Sequence, residues 1–199
     1  MKHSFYKILG SILMAWATLS QTGYGQSNDL PEISISALPQ STEEFSALQA
    51  KLADSPQGGA ALFVVATILY AENPTLGEQC LVLACDAGLL SKVSKGGYQG
   101  MGFGASTKFL IEQLDSKKHV PYSYLKGTSP ENGYKVALPW VVQTQTNPYS
   151  GNEKDGKIKL FVKCSGADSP RPISLAKDGQ GIWKATEFSS LMVGIRAPK

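Results

Sequence analysis

The sequence predicts an α+β fold in which N-terminal helices pack on a C-terminal antiparallel sheet. Three observations carry this. Between residues 41 and 118, apolar residues recur at helical spacing behind capping signals. From Tyr134 onward, apolar and polar residues alternate with a period of two. Asp178-Gly179-Gln180-Gly181 separates two such stretches and reads as a hairpin turn. Helices first and strands last is the pattern of an α+β domain.

The elements follow in order. Ser41 and Glu44 form a capping-box pattern, and Phe45, Leu48 and Leu52 follow at helical spacing, so a first helix spans 41–54. Ser55 and Pro56 break it. Ala60 to Tyr70 is apolar on every side except Thr67, which predicts a helix buried in the protein centre. Asn73 and Pro74 end it. Leu76, Cys80, Leu83 and Ala84 predict a third helix over 75–86. Six glycines between 87 and 104 predict a turn-rich crossing. A fourth helix over 105–116 presents Phe109, Leu110 and Leu114, with Lys117, Lys118 and His119 at its negative end. Pro121 stops it.

In the β part, Tyr134, Val136, Leu138, Trp140 and Val142 alternate with polar or small residues, and Pro139 marks an edge or bulge. Ile158, Leu160, Val162 and Cys164 form a second strand. Ile173 and Leu175 form a third, Ile182 to Thr186 a fourth and Leu191 to Ile195 a fifth. The helices are too few and too apolar to stand alone. One domain over 41–199 is therefore expected, with a helical part at 41–118 and a β part at 134–197. Residues 26–40 are polar and contain prolines, and read as a linker with one short extended piece at Ile33 to Ile35.

The first 25 residues read as a secretory signal peptide. Lys2, His3 and Lys7 give a basic start, and Ile8 to Leu19 is apolar and uncharged. Ser20, Gly23 and Gly25 give a small-residue exit, with cleavage after Gly25 or Ser20. The apolar run is shorter than the roughly 20 residues of a membrane span. An uncleaved anchor is the alternative. Export to the periplasm or beyond is the expectation, with no stable membrane insertion once the leader is removed.

The leader also changes the charge. The chain has 19 Lys and Arg against 16 Asp and Glu. Lys2 and Lys7 lie in the leader, which has no acid, so 17 against 16 remain and the net charge is +1. A near-neutral chain without basic clusters has no electrostatic footprint for nucleic acid.

Cys80, Cys85 and Cys164 leave two readings. Either all three are small buried hydrophobes, or Cys164 bridges to Cys80 or Cys85 in an oxidising compartment. Five residues apart on a helix, Cys80 and Cys85 point about 140° away from each other, so they are poorly placed to pair together. Metal binding is not expected: the spacing is wrong, and His119 is the one histidine beyond the leader.

Several motifs fail on context. Gly100-Met101-Gly102-Phe103-Gly104-Ala105 matches a loose dinucleotide pattern, but SKVSKGGYQ before it is not the strand of a parallel βαβ unit. Ser123-Tyr124-Leu125-Lys126 is formally S-x-x-K, yet Pro121, Gly127 and Pro130 argue against the helix that chemistry needs. No nucleophile elbow is present, and His119 reads as a solvent-exposed helix-end residue. No cofactor is expected.

Two polar segments remain as candidate sites. Residues 122–134 (YSYLKGTSPENGY) offer Tyr122, Tyr124, Lys126, Glu131 and Tyr134. Residues 164–171 (CSGADSPR) offer Asp168 and Arg171 as a charge pair in a constrained turn. Loops held by rigid elements commonly carry function, while the same residues also suit plain turn chemistry.

The stretches SYLKGTSPENGYKVALP, KLFVKCSGADSPRPISL, Gly181-Ile182-Trp183-Lys184 and SSLMVGIR resemble an uncharacterised bacterial family, a domain of unknown function, over residues 35–197. The resemblance implies one compact bacterial domain and carries no catalytic residues. The terminal hairpin is also similar to sheets of the nuclear-transport-factor-like cone fold and of SH3-like barrels, an analogy of fold alone. The leading expectation is a non-enzymatic exported module that binds a small molecule or an envelope protein. One alternative is a hydrolase of unfamiliar type with carboxylates such as Glu131 and Asp168 as acid and base. The other is a structural envelope protein.

Overall fold

The computed structural model describes residues 27–199; the expected leader lies outside the described residues. The described residues form five helices: α1 (Thr42–Leu52), α2 (Pro56–Glu72), α3 (Pro74–Ala84), α4 (Ala105–Glu112) and α5 (His119–Tyr122). The strands are β1 (Asn28–Asp29), β2 (Ile33–Ile35), β3 (Leu90–Lys92), β4 (Met101–Phe103), β5 (Trp140–Val142), β6 (Thr144–Thr146), β7 (Lys157–Val162), β8 (Arg171–Lys177) and β9 (Trp183–Glu187). All strand pairs are antiparallel. The main sheet has the order β1-β6-β7-β8-β9, and β2-β5 and β3-β4 form two small ribbons. The α+β architecture read from the sequence is the one observed.

The first three helices begin where their caps stand. The Ser41 hydroxyl accepts from the Glu44 amide at 3.2 Å, and Ser55 accepts from the Gly58 amide at 3.3 Å. Asn73 accepts from the Leu76 amide at 3.2 Å. Pro56 and Pro74 open α2 and α3, where a missing N–H costs nothing. Helix α2 is the spine: every residue from Gly58 to Ala71 is buried, and α1, α3, α5, β7, β8 and β9 all pack against it. Its all-round apolar composition is the consequence of that position. Helix α3 approaches α2 so closely at Gly77 that a Cβ there would overlap the Tyr70 backbone.

On the sheet, Ile158, Leu160, Val162, Ile173, Leu175, Trp183 and Ala185 face this core and are buried. Asp178 closes the β8-β9 hairpin as expected, accepting from the Gln180 and Ile182 amides at 2.9 and 3.0 Å.

Four expectations are corrected. The 26–40 segment contains the extended piece expected at Ile33 to Ile35, as β2, but it is not a free linker: β1 pairs with β6 and β2 with β5, and Ile35 is fully buried. The 87–104 crossing holds the β3-β4 hairpin. The strand expected from Tyr134 begins only at Trp140, because Gly133 and Tyr134 both take left-handed backbone, at φ 65° and 59°. The fifth strand over 191–195 is absent: a 3-10 turn at Ser189–Leu191 leads into an irregular tail.

The bridge from Cys164 to Cys80 or Cys85 is not formed, and all three thiols are free. Cys85 bridges Ala185, which pairs through Leu175 with Ile158 at the start of β7. Cys164 lies six residues further on, past the end of β7, about 20 Å along the strand direction and far beyond disulfide reach. Cys80 is sealed inside α3, where burial pushes its thiol up to about 12.

Candidate functional site

The 118–136 segment is irregular yet tightly fixed. Asn132 fixes it: its side-chain oxygen accepts from the Ser129 amide at 2.8 Å, and its amide nitrogen donates to the Gly127 and Lys135 carbonyls at 2.9 and 3.2 Å. The Tyr134 amide returns to the Ser129 carbonyl at 2.9 Å. This closed turn holds Tyr134 in a backbone region that a bulky residue rarely adopts. Opposite it, α5 presents His119 and Tyr122, three residues apart and so on one face.

Between them lies a cleft of about 360 Å³ lined by Lys118, His119, Tyr122, Tyr134, Lys135 and Val136. The His119 imidazole stacks on the Tyr134 ring at 5.6 Å, with planes 25° apart. Tyr122 stands edge-on to Trp140 at 5.9 Å and donates from its hydroxyl to Glu72 at 3.0 Å. The Tyr134 hydroxyl donates to the Arg196 carbonyl at 2.6 Å. Both phenols are raised above their ordinary value, first by burial. His119 is lowered, chiefly by burial and secondarily by Lys117, while the Ile195 carbonyl acts in the opposite direction. At neutral pH the wall is therefore a neutral aromatic stack; among the described residues the lining contains two lysines and no acid, and Glu72 lies behind it on the Tyr122 hydroxyl.

The expected site residues separate into three groups. Tyr122 and Tyr134 meet in this cleft. Tyr124 and Lys126 instead line a second, smaller cavity of about 230 Å³ together with Gln143, Lys163 and Cys164. There the Tyr124 hydroxyl is buried and donates to the Leu191 carbonyl at 2.8 Å, and Lys126 pairs with Glu32 at 2.8 Å. Glu131, Asp168 and Arg171 line neither. Glu131 pairs with Lys199 at 2.8 Å, which holds its carboxyl down at about 2. The expected Asp168–Arg171 pair is not formed. Asp168 pairs with Arg196 at 2.6 Å, and Arg171 donates to the Gly194 carbonyl at 2.9 Å because the irregular tail passes between them.

The two loops are nonetheless joined. Ser165 donates from its hydroxyl and its amide to the Ser123 carbonyl, at 3.0 and 2.9 Å. Its hydroxyl also meets that of Thr128 at 2.9 Å, and Ser123 meets the Cys164 thiol at 3.3 Å. Gly166 permits the approach, since a Cβ there would stand 2.6 Å from the Tyr134 hydroxyl. The tail completes the joint through Arg196 to Gly166 and Lys199 to Pro130, both at 2.9 Å.

Sequence reasoning missed His119, Lys118 and Lys135. The i, i+3 spacing of His119 and Tyr122 was the available signal. It was hidden because Pro121 argued against a helix there, whereas α5 carries Pro121 within its single turn.

Residues 37–199 match the family described as Domain of unknown function (DUF6935). The chain belongs to that family. The match spans α1 to the tail, so both cavities and the joint between the loops fall within the DUF6935 domain. No curated protein and no solved structure matches the chain. Among the described residues no helix is long and apolar enough to cross a membrane, and no three metal-ligating side chains converge.

Proposed function

We propose that this DUF6935 chain is an exported, non-enzymatic binding module that seats a small organic anion with a flat apolar part in the His119–Tyr122–Tyr134 cleft. One observation carries the reading: a concave, aromatic-walled space bordered by Lys118 and Lys135 with no acid in its lining. Aromatic walls take the flat part of a ligand, and a few placed polar groups orient it. The preformed turn around Asn132 keeps the ordering cost of binding low.

NMR titration of the labelled protein with benzenesulfonate tests this. Saturable shifts are expected at the amides of Lys118, His119, Tyr122, Tyr134 and Lys135. They should be weakened in the K118A/K135A double variant and weaker with neutral benzyl alcohol. Absence of a saturable response to benzenesulfonate and to benzoate would overturn the reading. The export half rests on the basic start and apolar run of residues 2–19. Intact mass of the protein from the cell envelope should show cleavage after Gly25 or Ser20; a chain retaining Met1 counts against it.

A structural envelope role is the second reading. The Tyr124 and Tyr134 hydroxyls favour it, because both are spent on internal carbonyls. It expects the same fold with no response in the titration.

A further inference from the structure

The end of α2, the start of α3, β4 and α4 border a cavity of about 170 Å³, lined by none of the residues of that cleft. Its lining includes Tyr70, Glu78, Phe103, Lys108, Ile111 and Glu112. Tyr70 is only 7% exposed. Its hydroxyl makes no hydrogen bond among the described residues, yet it is not among the side-chain atoms sealed from solvent without a partner. Tyr70 lines the cavity, which gives this polar atom an outlet. Burial first, and then Asp115, Glu112 and Glu78, push the phenol up to about 12, so it stays a neutral hydroxyl that can accept or donate.

The charge around it is one-sided. Glu78, Glu112 and Asp115 take part in no ion pair among the described residues. Lys108 is the single base in the lining. The hairpin loop closes over Glu78 at Gly96, whose left-handed backbone (φ 71°) leaves the carboxylate about 3.2 Å from where a Cβ would stand. Among the described residues these carboxylates are not part of any group of three metal-ligating side chains. An alkylammonium, by contrast, carries three separated N–H donors that suit dispersed acceptors, and the Phe103 ring in the wall suits a cation. The volume is below that of pockets for drug-sized ligands, and fits the end of a basic side chain or a small amine.

We propose that this cavity is a second binding site, taking a primary alkylammonium group on Glu78, Glu112 and the Tyr70 hydroxyl. It is independent of the anion cleft, and the two titrations report on different amides.

The test is an NMR titration of the full chain with n-butylammonium chloride at low salt. Saturable shifts at Tyr70, Glu78 and Glu112 are expected. Binding should weaken about tenfold in E78Q/E112Q, the loss of charge-assisted hydrogen bonds. It should weaken in Y70F, and tighten about twofold in K108A as a nearby surface charge is removed. Unchanged amide dispersion in each variant shows that the fold persists. Three outcomes overturn the proposal: no saturable shift, an equal response to 1-butanol, or preferential occupation of the same amides by magnesium.

Discussion

The α2 spine and the 118–136 loop sit on the same core yet are held by different forces. Around α2 nearly every contact is apolar: Phe63 is fully buried, its ring 4.6 Å from that of Phe188. Around Tyr134 the order comes from hydrogen bonds, four of them on Asn132 alone. Apolar burial leaves a periodic mark on the sequence, because one face of an element must be greasy. A hydrogen-bonded turn leaves only its composition. The first kind of region stabilises the fold and the second shapes the cleft.

Phe63→Ala should show the largest effect. Truncating a sealed ring in the spine is expected to cost about 3–5 kcal/mol, read as a lowered midpoint in denaturant unfolding. Asn132→Ala should cost less, about 1–2 kcal/mol, because Asn132 is exposed and water can replace part of its bonding. Its effect on benzenesulfonate binding should be larger than its effect on stability, since the turn that places Tyr134 is released. Equal losses of stability in the two variants would break the contrast between spine and loop.

The same contrast explains what was legible in the sequence. Helix α1 carried a cap and a period, α2 an unbroken apolar run and α3 a period, and β7 to β9 carried alternation around a recognisable turn. Strand β2 was read as an extended piece at Ile33 to Ile35, but β1 is two residues long, too short for alternation to register, and no pattern showed that either strand pairs, so residues 26–40 read as a linker. Tyr134 fitted an alternating run that extended backwards from Trp140. Nothing in a period-two pattern reveals the left-handed φ that removes it. For the site, the aromatic content of the 122–134 segment was visible, and Tyr122 and Tyr134 do meet. Which tyrosine faces which cavity was not visible, because an irregular segment has no period from which to read direction. The partners of Asp168 and Arg171 were set by the tail, whose path has no pattern either.

His119 gives a smaller, pH-dependent effect. Its folded value is depressed, so its contribution to stability is full above the ordinary value of 6.5 and is lost as the pH falls through the folded value. A mild fall in thermal midpoint on acidification below 6.5 is expected, and H119N should remove that part of the slope. Ligand binding should move the other way. A protonated imidazole beside Lys118 and Lys135 adds positive charge to the cleft, so benzenesulfonate, which stays ionised, should bind more tightly as the pH falls. The same pH profile in H119N as in the unaltered protein would detach His119 from the site.

Glu131→Gln should change least. Its carboxylate and the Lys199 ammonium are both exposed, 62% and 73%, and an exposed pair of this kind adds little to stability. The tail does not depend on it, because the Lys199 amide still donates to the Pro130 carbonyl at 2.9 Å. Held at about 2, the carboxyl is ionised through the whole working range. That is the opposite of the raised value a general acid requires. The expected result is an unchanged thermal midpoint at pH 7 together with unchanged benzenesulfonate affinity. A measurable loss of affinity would mean that the turn around Asn132 draws its shape from the tail as well as from its own hydrogen bonds. The line between the apolar spine and the loop-built cleft would then have to be redrawn to include residues 194–199.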